Sequence, residues 1–300
     1  MKKSLFIVLA FAALLSSCAN DEIGRPVTPE DTPVLLKISD ASLSLSVSNL
    51  RADPTKTLTT ATDKIGLFLS GTNYTALNNV MYTYGSPWTT TTPVYLTKSN
   101  ASICAYYPYD AAITTSTLPT TILTPKVYAA ASDICYQSSQ TASSSASSLS
   151  FTMVRAFSRI QLTISKAASY PGTGNITSIT IAATGLATQN TLNMTSGTYG
   201  TATTGGSYND AAPAIANLTS AVTKDYLMVP STLTSDITLT FVIDTQTLTG
   251  SISKDLLSSA LASGKQYQIN VNITGSSLVI NSVSTTNWTA VSVTGTVTPS

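Results

Sequence analysis

Apolar and polar residues alternate one for one along much of this chain, the spacing of strands with one face buried. Near the start, Ala41, Leu43, Leu45 and Val47 alternate with Ser42, Ser44, Ser46 and Ser48. That predicts a strand stopping at Asn49-Leu50-Arg51-Ala52-Asp53-Pro54. Short strands are expected over 65–69 and 93–97, and a buried one over 102–109 that ends where Pro108 withholds an N–H. Residues 151–165 read as one long strand, followed after a Gly-rich turn by another over 176–182. Tyr267, Ile269, Val271 and Ile273 mark the cleanest alternation. One stretch, 254–263, has helical spacing, with Leu256, Leu257, Ala260 and Leu261 on one face and Gly264 placed to end it. A last strand closes the chain: Val291, Val293 and Val297 alternate with Ser and Thr, and Gly295 stands in the apolar register.

Many short strands separated by turn signals predict an all-β protein of two β-sandwiches in series, with a short helix in the second. The Ser/Ala-rich stretch 138–148 reads as the joint, giving sandwiches over 52–147 and 148–300. Ahead of them, Lys2 and Lys3 precede an apolar run over 5–15. About 11 residues is half of the ~20 needed to span a bilayer, so the run is a secretory signal, not an anchor. Leu15-Ser16-Ser17-Cys18 has the form of a lipobox, so 1–17 is expected to be removed and Cys18 to carry lipid. The alternative is an ordinary signal peptide with a chance Cys. Residues 21–33 hold Pro26, Pro29 and Pro33 and read as a tether.

Charge adds exclusions. Only 10% of residues are charged and the net charge is +1, so there is no electrostatic case for nucleic acid. The chain has no His, which removes the commonest general base and most zinc chemistry. Ser251-Ile252-Ser253-Lys254 fits S-x-x-K, but neither S-D-N nor K-T-G accompanies it. No enzyme, metal or cofactor is expected. Cys104 and Cys135 have two readings: a disulfide closing a loop of about 32 residues, or two buried thiols packing as small hydrophobes. Tyr106, Tyr107 and Tyr109, or Tyr199 and Tyr208, offer aromatic platforms for a glycan, or else pack into the sheets.

Arg51-Ala52 followed by Asp63-Lys64-Ile65-Gly66-Leu67-Phe68 resembles the opening of fimbrillin-like proteins of Bacteroidetes. Trp88, Pro93-Val94-Tyr95-Leu96, Ala105-Tyr106-Tyr107-Pro108-Tyr109, Phe151-Thr152-Met153 and Gly264-Lys265-Gln266-Tyr267 with Trp288 continue that resemblance in order. It implies a type V pilus subunit made of two transthyretin-like sandwiches, delivered to the outer membrane as a lipoprotein. It further implies that an Arg-specific protease removes the N-terminal strand and that a strand from another subunit, of the same or a different kind, takes its place. Of the four arginines, Arg25 precedes Pro26, and Arg155 and Arg159 fall in a predicted strand. Arg51–Ala52 is therefore the expected cut, and Val291, Val293, Gly295 and Val297 are the expected donor positions. A final strand that stays in its own sheet is the alternative for the tail. A monomeric surface lipoprotein binding a glycan or protein receptor is the alternative for the whole chain. Stalk, anchor and tip positions all remain open.

Overall fold

The computed structural model describes residues 32–43, 56–58, 60–85, 88–113, 120–275, 277–288 and 295–296. Its N-terminal half contributes β1 (Val34–Leu35), β2 (Lys37–Leu43), β3 (Lys56–Thr57), β4 (Lys64–Ser70), β5 (Leu77–Thr83), β6 (Tyr95–Leu96), β7 (Ala101–Tyr107), β8 (Cys135–Ala142) and β9 (Ser148–Arg155). Seven of these form one sheet in the order β3-β2-β9-β8-β7-β4-β5, while β1 pairs with β6. Alternation gives the sheet two apolar faces. Ile65, Leu67, Ile103, Ala105, Phe151 and Met153 belong to the core of this half.

The C-terminal half contributes β10 (Ser158–Lys166), β11 (Ile176–Ala182), β12 (Val222–Met228), β13 (Ile237–Ile243), β14 (Gln246–Ile252), β15 (Lys265–Ile273), β16 (Leu278–Asn287) and β17 (Gly295–Thr296). One sheet runs β17-β16-β15-β10-β12 and ends on Lys126–Val127 from the first half of the chain. A second runs from Ser207–Asp210 through β11, β13 and β14. The inward residues of the two sheets, among them Ile160, Leu162, Ile269, Val271, Ile179, Leu239 and Phe241, fill a single core. This is sheet-on-sheet packing with the alternation the sequence predicts.

A third apolar cluster joins the halves. Phe68, Cys104, Tyr106 and Tyr136 from the outer face of the N-terminal sheet meet Phe157, Leu192, Leu227, Val229 and Trp288. Pro33–Ser300 accordingly forms one compact unit.

Three expectations need correction. Residues 151–165 are two strands, β9 and β10, separated by Ala156 and Phe157, both fully buried in the seam. There the backbone leaves one sheet for the other: Ala156 N–H donates to Ile134 O, and Phe157 O accepts from Gly264 N–H. It follows that β9, which a boundary at 147/148 assigns to the second sandwich, lies in the N-terminal sheet between β8 and β2. The helix over 254–263 shrinks to a 3-10 turn, Lys254–Leu257. Ser253 caps it as a helix start should, but Ser258 and Ser259 take φ values of 55° and 54°, and Leu261 turns into a short strand against Ser231.

Candidate functional site

The first described strands are inserted into the body. β1 pairs with β6, Leu36 N–H donates to Val94 O at 2.8 Å, and Lys37 N–H donates to Ser147 O at 2.8 Å. β2 then runs parallel to β9, from Lys37 opposite Ser148 to Leu43 opposite Met153. On its other side β3 pairs antiparallel at Ser42 and Leu43. Leu36, Ile38 and Ala41 enter the N-terminal core at 3%, 2% and 0% exposure. Burying Leu36 and Ile38 is worth roughly 1.5–3 kcal/mol each. Without β2, the edge of β9 and the apolar floor beneath it would be open between β3 and β9.

The strand starts earlier than the Ser alternation predicts, at Lys37 instead of Ala41. Ser39 hides the earlier part. Ile38 lies opposite Leu149 and Asp40 opposite Ser150, so Ser39 is an extra residue with no place on β9. Its hydroxyl donates to Leu149 O at 3.0 Å. The inward positions are therefore spaced by two and then by three, which breaks the period. A search allowing one inserted residue would have joined Leu36 and Ile38 to Ala41.

Arg51 and Ala52, the expected cut, lie outside the described residues, within the stretch that links β2 to β3. The two strands are ladder neighbours, with Leu43 opposite Lys56, so this link is the covalent tie between an inserted strand and its sheet. Arg155 and Arg159 are held in the folded body. Arg155 Nε donates to Asp133 at 2.9 Å and its guanidinium lies 4.6 Å from the Trp288 ring. Arg159 Nε donates to Asp225 at 2.9 Å and its guanidinium lies 4.6 Å from Tyr128. Their side chains are 14% and 17% exposed, in strands of two sheets.

Cys18, Val291, Val293 and Val297 also lie outside the described residues. Gly295 and Thr296 form β17, which pairs antiparallel with Val283 and Ser282 at the edge of the C-terminal sheet. Cys104 and Cys135, for which the sequence leaves two readings open, are both buried thiols here. Cys135 is opposite Tyr107 on β7, three residues from Cys104, and an odd offset puts the two on opposite faces. Cys104 belongs to the seam and Cys135 to the N-terminal core. The tyrosines pack against the body. Tyr106 is fully buried, Tyr107 and Tyr109 pack against cores, Tyr199 donates to Ala156 O at 2.7 Å, and Tyr208 meets Tyr226 edge-on.

The sequence profile of a family described as fimbrillin-like matches residues 51–288. No curated protein matches the chain. Among solved structures, one from Bacteroides uniformis, provisionally described as a cell adhesion protein, is 19% identical with a TM-score of 0.62, covering 85% of this chain and 99% of that one. Another of the same description, from Bacteroides ovatus, is 17% identical with a TM-score of 0.57, covering 87% of this chain and 99% of that one. At these identities the likeness establishes the fold.

Proposed function

This chain belongs to the fimbrillin-like family, a structural family and not one of enzymes, and from that premise we propose that it is a subunit of a cell-surface fimbria. It reaches the outer membrane as a lipoprotein through Cys18. An Arg-specific protease cuts Arg51–Ala52, and the subunit polymerises by strand exchange, its segment 290–298 filling the groove of a neighbour. One observation carries this reading. β2 is an interior strand of the N-terminal sheet, yet a cut between it and β3 would leave it held without a covalent tie, by hydrogen bonds and, among the described side chains, by the burial of Leu36, Ile38 and Ala41. That is the arrangement β-augmentation needs, an occupied groove whose occupant can leave. The two described arginines being locked in ion pairs further directs an Arg-specific protease away from the folded body.

The test uses lipid-free protein spanning 19–300. Digestion with an Arg-specific protease is expected to give a new N-terminus at Ala52, leave 52–300 intact, and produce a heat-labile ladder on an unboiled gel. Deleting 290–300 is expected to abolish the ladder. A chain that resists the protease and stays monomeric rules the reading out.

A further inference from the structure

The groove and its occupant do not match. β9 presents Leu149 and Phe151 opposite Ile38 and Ala41, so two steps along β9 are spanned by three along β2. The surplus residue is Ser39. Bulges are rare in parallel pairs and leave one residue out of the ladder. The inward side chains read large, large, small, at Leu36, Ile38 and Ala41, with Ala41 fully enclosed. The chain's own tail carries the same sizes in the same order, Val291, Val293 and Gly295, spaced by two throughout. Laid parallel to β9 as β2 is, with Gly295 in the place of Ala41 opposite Phe151, Val293 falls opposite Leu149 with no surplus residue.

We propose that the bulge at Ser39 is a built-in mismatch. It makes the resident strand the weaker occupant, so that the tail of a second copy of this chain displaces it once the link to β3 is cut. The proposal rests on the strand-exchange reading and adds what drives the exchange. Before cleavage the mismatch is harmless, because β2 is covalently tied to the body and effectively at high local concentration. After cleavage the two strands compete on their ladders, and the regular one gains the rung that the bulged one lacks. The Ser39 hydroxyl, donating to Leu149 O, holds the bulge in place until then.

Two variants act in opposite directions. Deleting Ser39 returns β2 to a spacing of two and should strengthen it. Ser39→Ala keeps the extra residue but removes its hydrogen bond and should weaken it. The measurement uses lipid-free 19–300, cut at Arg51, mixed with a labelled synthetic peptide of residues 290–300. Fluorescence anisotropy follows peptide entry, and mass spectrometry under native conditions follows loss of the N-terminal fragment. Relative to the unaltered chain, entry is expected to slow about five- to tenfold on deletion, the factor one ladder hydrogen bond represents, and to quicken with Ser39→Ala. Equal entry rates in all three overturn the mismatch and leave strand exchange standing. A peptide that never enters the unaltered, cut protein overturns both. Should the deletion variant fail to fold, Ser39→Ala alone decides: entry no faster than in the unaltered chain overturns the proposal.

Discussion

The ring of Tyr106 lies across Gly66, its register partner on the neighbouring strand β4. A Cβ at Gly66 would stand 2.0 Å from the ring's Cε1 and 2.7 Å from Asn79 Oδ1. The ring reaches over the glycine to place its hydroxyl, which donates to Asn79 Oδ1 at 2.6 Å and accepts from Asp110 N–H at 3.0 Å. Two motifs that the sequence shows 40 residues apart, Ile65-Gly66-Leu67-Phe68 and Ala105-Tyr106-Tyr107-Pro108, are thus one structural unit on the seam face of the N-terminal sheet.

Gly66→Ala is therefore expected to destabilise the fold by about 1–3 kcal/mol, the range of overpacked cores. Tyr106→Phe keeps the ring over the glycine and loses only the hydroxyl, so it should cost about 1 kcal/mol, because the exposed Asp110 can recover water. Urea midpoints at unchanged slope check both, and equal losses would show that the ring–glycine contact is not the dominant one.

Alternation made the strands legible, and its failures have local causes. Residues 267–273 keep strict period two in sequence and in burial, as 237–243 do across the same core, because each of their sheets turns one face to it. The start of the strand over Lys37–Leu43 is hidden from that pattern because one extra residue at Ser39 shifts the phase. The apolar spacing after Lys254 is helical in projection, yet left-handed backbone at Ser258 and Ser259 stops the turn, and nothing in the residue types forces that. The seam was invisible for a different reason. Cys104, Tyr106 and Phe68 read as residues of strands buried on both faces, and sequence does not say what covers the second face.

Asp244 should make stability fall in acid. Burial pushes its carboxyl up, but Gly174 N–H, the Thr173 hydroxyl and Asn175 N–H outweigh that and hold it at about 2. A carboxyl whose folded value lies below its unfolded one, about 3.9, stabilises fully above the latter and loses that contribution as pH falls toward about 2. Asp244 and Thr245, with φ of 44° and 72°, form the tight turn between β13 and β14, and Asn suits that turn as well as Asp. Asp244→Asn should lower the urea midpoint at pH 7 and converge on the parent near pH 2. A gap that persists at pH 2 would mean the charge is not its cause.

Both thiols should resist alkylation in the native state. Burial pushes Cys104 up to about 11, so almost no thiolate is available at neutral pH, and Cys135 is equally enclosed. Iodoacetamide followed by intact-mass measurement should add no label to native, lipid-free protein and label both thiols in denaturant. Oxidant should likewise fail to join them, and native-state recovery of a Cys104–Cys135 bridge would contradict the opposite-face geometry.

The seam's charges should not contribute equally. Asp133 is 5% exposed, and its Oδ1 has no hydrogen-bond partner among the described residues, so Arg155 carries the burden of compensating it. Asp225, by contrast, has a side chain that is 22% exposed and also accepts from Gln161 Nε2 at 2.9 Å. Removing one partner of a buried pair costs about 3–5 kcal/mol because the other charge is stranded. Arg155→Gln should approach that loss at pH 8, and Arg159→Gln should fall well short of it. Burial already raises the Asp133 carboxyl, with Arg155 pulling it back, so losing Arg155 raises it further. A carboxyl raised on folding destabilises above its folded value and recovers as protonation relieves it. The Arg155→Gln deficit in urea should therefore shrink from pH 8 to pH 5. A deficit independent of pH would assign the loss to stacking on Trp288, and Arg155→Lys, which keeps the charge without the planar contact, would then lose as much as Arg155→Gln.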